Sequence, residues 1–284
     1  MTRLVADIGG TNARLAIAQA GAVRPGSERR YANDGFAGFE DLAARYLSET
    51  QPGPLSEIVV AVAGPVGPGT AQLTNRGWGF DAAALAHRFG APQVLLMNDL
   101  AALGQALGSL GAGGLRTVCE GDDSGGTQAL VAGIGTGFNT SLVLFRGGDA
   151  FCARAETGHV SLPHPVAAAL KDRFGDAAPD FPTVEECFSG RGFARLQGTS
   201  GEDITGFYGH LIGLLARELR LAFMPDAGLY FAGSVARAIL TDGGATAFGA
   251  AFHAPAPVPL GAPPPVRMIM DDMAALKGCA SVTL

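Results

Sequence analysis

Apolar positions along the chain switch period repeatedly, from alternation to helical spacing and back. Residues 3–9 (RLVADIG) and 13–21 (ARLAIAQAG) read as strands, whereas Phe39, Leu42, Ala43, Tyr46 and Leu47 in residues 38–49 fall on one helical face. Residues 57–64 (EIVVAVAG) form a continuous apolar run typical of a buried strand. Residues 81–90 (DAAALAHRFG) predict a helix with Asp81 as N-cap, and residues 93–100 (QVLLMNDL) another strand. Residues 108–128 are glycine-rich and polar and read as a crossing between two lobes. Beyond them, residues 130–148 repeat a strand, a glycine break and a second strand. Helical patterns at 165–175 and 206–224, a strand at 227–234, a proline-rich stretch and a strand at 266–272 complete the order. Strands alternating with helices imply an α/β protein.

The glycine breaks at 9–10 and 135–137 carry the first chemical signal. In Rossmann and P-loop sites the glycines lead into a helix. Here Ala13–Ala18 and Thr140–Phe145 continue with strand character, so each break is predicted to be a hairpin turn. The chain also lacks GxGxxG at the first break and GxxxxGK[ST] altogether. DIGGTNARLA (7–16) and GIGTGFNTSL (133–142) form a short internal repeat, and facing backbone N–H groups of two such turns suit a polyphosphate.

Composition narrows the class. A net charge of −6 with scattered Lys and Arg argues against a nucleic-acid partner. No run approaches the roughly 20 apolar residues of a membrane span, and no secretory leader pattern follows Met1, so a cytoplasmic protein away from membranes is expected. Cys119, Cys152, Cys187 and Cys279 are widely spaced and are expected to be free thiols.

Seven ordered stretches, DIGGTNARLA, LTNRGW, MNDLAAL, GIGTGFN, AETGHVSL, EECFSGRG and FAGSVARAI, make the chain resemble bacterial glucokinases of the hexokinase, actin and Hsp70 superfamily over residues 3 to about 279. The resemblance implies a two-lobed actin-like (ribonuclease H-like) α/β ATPase fold with a cleft between the lobes. Its small domain would be residues 1–107 completed by 271–284, and its large domain 108–270. The implied activity is ATP- and Mg²⁺-dependent phosphorylation of D-glucose, feeding glycolysis; a kinase for another hexose and a non-catalytic sugar-binding protein of the same fold are the alternatives. A homodimer is implied by the resemblance only.

Under the resemblance, Asp99 is the catalytic base; an isolated Asp after a strand would otherwise be read as a helix cap. Asp7 would reach Mg²⁺ through its water shell. Gly9, Gly10, Thr11, Asn12 and Arg14 would face the phosphates, as would Gly135, Thr136 and Gly137, with Gly233 and Ser234 at the adenosine. Asn75, Asn98, Glu156 and His159 would contact glucose, together with Glu185, or Glu186 if the motif is offset by one. Trp78 reads as core. His159 is followed by no cysteine cluster, and its spacing from Cys152 and Cys187 fits no compact site, so zinc is not expected. Asn139 and Ser234 stand where the family prefers glycine, which predicts positive φ at Asn139 with its amide turned toward a phosphate. The chain stops at Leu284, which implies a shortened terminal helix.

Overall fold

The computed structural model describes every residue except Ser124, Ala256 and Pro257, which belong to the glycine-rich and proline-rich stretches above. It divides into two compact units, Met1–Leu110 with Asp272–Leu284, and Gly111–Asp271. Each is an α/β unit.

The first unit opens with β1 (Arg3–Ile8) and β2 (Asn12–Gln19), an antiparallel hairpin pairing Ile8 with Ala13 and Asp7 with Arg14. Short strands β3 (Ala22–Val23) and β4 (Arg29–Ala32) flank β2. Helix α1 (Phe39–Thr50) leads to β5 (Glu57–Val62), which is buried along its whole length because it lies between parallel neighbours. A small ribbon of β6 (Thr70–Gln72) and β7 (Gly79–Asp81) precedes α2 (Ala82–Phe89). As expected, Asp81 caps α2, accepting from the Ala84 N–H at 2.8 Å. Strand β8 (Gln93–Asn98) and helix α3 (Asp99–Ala106) follow, giving the sheet order β3-β2-β1-β5-β8.

The second unit contains β9 (Leu115–Cys119), β10 (Gln128–Ile134), β11 (Phe138–Arg146) and β12 (Asp149–Ala153). Helices α4 (His164–Phe174), α5 (Val184–Cys187), α6 (Gly190–Ser200) and α7 (Thr205–Phe223) lead to β13 (Gly228–Ala232). Then come α8 (Ser234–Leu240), α9 (Ala245–Phe252) and β14 (Val266–Ile269). The sheet order is β12-β11-β10-β13-β14-β9. Residues 108–128 are therefore not all connection: β9 pairs antiparallel with β14 despite its glycine-rich flanks. Gly209 and Gly213 let α9 lie against α7, since a Cβ on either would stand 2.3 Å from Gly244 O and 2.5 Å from Phe248 O respectively.

The internal repeat is structural. In both units an antiparallel hairpin, β2-β1 or β11-β10, continues into two parallel strands, β5-β8 or β13-β14. Both glycine breaks are hairpin turns, as their strand-like continuations predict. The second is one residue shorter, because Ile134 pairs with Phe138 whereas Ile8 pairs with Ala13.

Helix α10 (Ala274–Ser281) returns to the first unit. Alternation in β1 sends Leu4, Ala6 and Ile8 to the core shared with α1 and Val5 to the opposite face, where Ala102, Ala275, Leu276 and Cys279 pack. Arg3 fastens α10. Its Nε and Nη2 meet Glu57 Oε2, each at 2.6 Å, and its Nη1 donates to the carbonyls of Cys279, Ala280 and Val282 at 3.0, 2.8 and 2.8 Å. One guanidinium thus satisfies a buried carboxylate and the open carbonyls at the helix end.

Candidate active site

Parallel strands end together in the first unit. Ile8, Val62 and Asn98 occupy one register row, so Gly9–Gly10, Ala63–Gly64 and Asp99 leave the same edge of the sheet. Ligands of open α/β sheets bind at such carboxyl ends. The Gly9 N–H closes the turn on Asn12 O at 3.0 Å. The carbonyls point the other way: Asn33 Nδ2 donates to Gly9 O at 2.7 Å and Gly10 O at 3.2 Å, while Arg76 Nε donates to Gly10 O at 3.3 Å. Among the described residues the Gly10 and Thr11 N–H groups have no hydrogen-bond partner, which suits an anion. Asn75 is exposed beside this turn; a Cβ on Gly10 would lie 3.5 Å from that of Asn75.

Asp7 continues the face that carries Val5 and α10. Its side chain is 17% exposed, and burial raises the carboxyl pKa above the ordinary value, an effect that Arg14 Nη1, 3.2 Å from Oδ2, only partly offsets. Arg14 thus faces Asp7, and Asn12 Oδ1 accepts from Arg30 Nε at 3.4 Å.

Strand β8 delivers Asn98 and Asp99, both half-buried. Asn98, rather than Asp99, is the N-cap residue of α3: its Oδ1 accepts from the Leu100 N–H at 3.0 Å, and its Nδ2 donates to Gly64 O at 3.3 Å. Asp99 occupies the first helical position, with Oδ1 2.9 Å from the same N–H, where a negative charge is favoured.

In the second unit Gly135, Thr136 and Gly137 form the turn, with the Gly135 N–H donating to Gly137 O at 3.0 Å and the Gly190 N–H to Gly135 O at 2.8 Å. Gly233 joins the same edge. It needs its glycine, because φ is +95° and a Cβ would stand 2.3 Å from Ile134 O. Glu185 folds over the turn and accepts from the Phe138 N–H at 3.1 Å, with Arg191 Nη2 at 3.7 Å. Glu186 is exposed, and its backbone N–H donates to Thr183 Oγ1. Gly158 wedges between these parts, since a Cβ there would meet Phe138 O at 2.2 Å and Glu185 Cβ at 3.3 Å. Glu156 and His159 flank Gly158 on the exposed side, and the His159 N–H donates to Glu156 O at 3.2 Å. The sequence-predicted Gly137, Glu156, His159 and Glu185 therefore gather in one unit.

Both expectations for Asn139 fail. Asn139 has no positive φ; it sits in β11 opposite Gly133, and its amide goes to Ala155 O and Glu156 instead of pointing at a phosphate. Ser234 opens α8 without positive φ, so its backbone conformation is one that any residue adopts. Asn33 and Arg76, which brace the first turn, gave no comparable signal. Arg76 lay inside LTNRGW, yet its ion pair with Asp34 and its place 5.4 Å over the Trp78 ring need the folded chain. Trp78 itself is core.

Among the described residues no three His, Cys, Asp or Glu side chains group to hold a metal, and no helix is long and apolar enough to cross a membrane.

A family model described as Glucokinase matches residues 4–204. A glucokinase of Marinobacter nauticus is 30% identical over 200 residues, covering 68% of this chain and 60% of that protein's length. One from Sinorhizobium fredii is 28% identical over 309 residues, covering 98% of this chain and 91% of its own. The crystal structure of a glucokinase from an Antarctic psychrotroph superposes with a TM-score of 0.80 at 23% identity, covering 99% of this chain and 98% of that one, and so shares the fold.

Proposed function

Because this chain belongs to the glucokinase family, we propose that it transfers the γ-phosphoryl group of ATP to the 6-hydroxyl of D-glucose, with Asp99 as general base. The observation that carries the assignment is the place of Asp99, one residue past the row Ile8–Val62–Asn98 where three parallel strands end beside the Gly9–Gly10 turn. The hydroxyl proton passes to the Asp99 carboxylate as the sugar oxygen bonds to phosphorus and the bond to ADP breaks. The reaction needs little else from the protein than alignment and charge compensation.

The N–H groups of Gly10 and Thr11 are the first unit's phosphate donors, and the Gly135–Gly137 turn with Gly233–Ser234 serves the nucleotide in the second. Glu156, His159, Glu185, Asn75 and the remaining N–H of Asn98 serve the sugar hydroxyls. Asp7 fits Mg²⁺: a single, partly buried carboxylate suits a cation held mainly by phosphates and water, and its raised pKa shows a charge that burial leaves under-compensated. Bound Mg²⁺ supplies neutralisation of phosphate charge. The wider reading, a homodimer feeding glycolysis, rests on the family resemblance.

The test is ADP release in a coupled assay across a panel of hexoses, with and without Mg²⁺. Glucose should give the highest kcat/KM, and only with Mg²⁺. A higher value for another hexose would reassign the substrate, and no release with any sugar would overturn the kinase reading.

A further inference from the structure

We propose that Asn139 is a positioning residue for the sugar-side carboxylate of Glu156; the proposal rests on the glucokinase reading. The Asn139 amide is used on both sides. Nδ2 donates to Ala155 O at 2.8 Å and to Glu156 Oε2 at 3.1 Å. Oδ1 accepts from the N–H groups of Thr157 at 3.0 Å and Thr140 at 2.8 Å, with Thr157 Oγ1 at 3.3 Å. Thr140 Oγ1 and Thr157 Oγ1 add a rivet at 3.0 Å.

These bonds fix the peptide on each side of Glu156 as well as its carboxylate. Glu156 needs such a clamp, because its backbone (φ −128°, ψ 55°) lies outside the main strand and helix regions and its side chain is exposed. Asn139 is itself held in β11 opposite Gly133 of the central β10, so the rigid sheet is extended to an exposed carboxylate. A sugar hydroxyl then meets a Glu156 that is already oriented, and less conformational freedom is lost on binding.

The test compares the parent with Asn139→Ala and Asn139→Asp, measuring KM for glucose, KM for ATP, kcat and melting temperature. Asp keeps the size and the acceptor for Thr157 but loses the donor and sets a like charge beside Glu156. Both variants should raise KM for glucose about tenfold or more, as expected for a lost hydrogen bond to a charged group, with KM for ATP within about twofold. Asp should be no better than Ala. Equal rises in both KM values, or a parental KM for glucose in a folded variant, would overturn the positioning role alone. A variant too unstable to assay would also overturn it, since its role would then be structural. A parent that phosphorylates no sugar would overturn the glucokinase reading and this proposal together.

Discussion

Gly278 of α10 lies so close to Ala102 of α3 that a Cβ built on it would stand 1.7 Å from the Ala102 carbonyl oxygen. Neither backbone can yield without moving a helix, and α3 is the helix that begins at Asp99. Gly278→Ala should therefore cost about 2 kcal/mol or more in urea unfolding and lower kcat as well, because the displaced helix begins at Asp99, the proposed base. Parental stability would show that the two helices separate freely.

Asp99→Asn keeps the shape of the side chain and an acceptor for the Leu100 N–H, but removes the proposed proton acceptor. Turnover should fall on the order of 10²-fold or more, while calorimetry shows glucose still bound. Parental turnover would reduce Asp99 to an element of the α3 terminus.

Asp7 links stability to pH with a defined sign. Its folded-state pKa is raised by burial, so its contribution to stability is fully present below the ordinary carboxylate range and is lost as pH rises through the raised value. At pH 7 the Asp7→Asn protein should melt at or above the parent, and the difference should shrink as pH falls through the carboxylate range. Arg14 loses its partner but is 32% exposed and stays hydrated. With Asp7 in its proposed role beside Mg²⁺ and the phosphates, activity should drop by about 10²-fold. A melting temperature that falls at pH 7 would show that the Arg14 pair outweighs burial.

Glu156→Gln and Glu185→Gln separate charge from shape, since each amide still offers an oxygen, to Asn139 Nδ2 or to the Phe138 N–H. Each should raise KM for glucose about tenfold and leave KM for ATP within about twofold. Matching losses for both substrates would place these carboxylates outside the sugar site.

Legibility followed the range of the interactions. The two hairpins and the Asp81 cap were readable because period and capping are local. Strand β9 was not: its five residues sit among glycines, and it becomes a strand only by pairing with β14, about 150 residues later. Asn139 was misread for a related reason. The glycine preference of a family suggests a left-handed turn, whereas the turn closes at Phe138, opposite Ile134, and Asn139 pairs with Gly133 inside the ladder. Asn33 and Arg76 act on backbone carbonyls of another segment, a relation that leaves no periodic trace. Motif spacing points to Glu185 rather than Glu186, and the side chains part in the same sense: Glu185 turns to the Phe138 N–H, whereas Glu186 is exposed.

The clasp of Arg3 on α10 also has a consequence for biosynthesis. Residues 107–273 emerge between α3 and α10, roughly ten to thirty seconds of elongation at ordinary ribosomal rates. Throughout that interval the sheet face of Val5, Ala16, Val59 and Ala61 lacks the helix that covers it, and Arg3 lacks the carbonyls it binds. The unit that begins at the amino terminus is thus the later of the two to be completed, and its nascent form presents an apolar sheet face of the kind that chaperones shield.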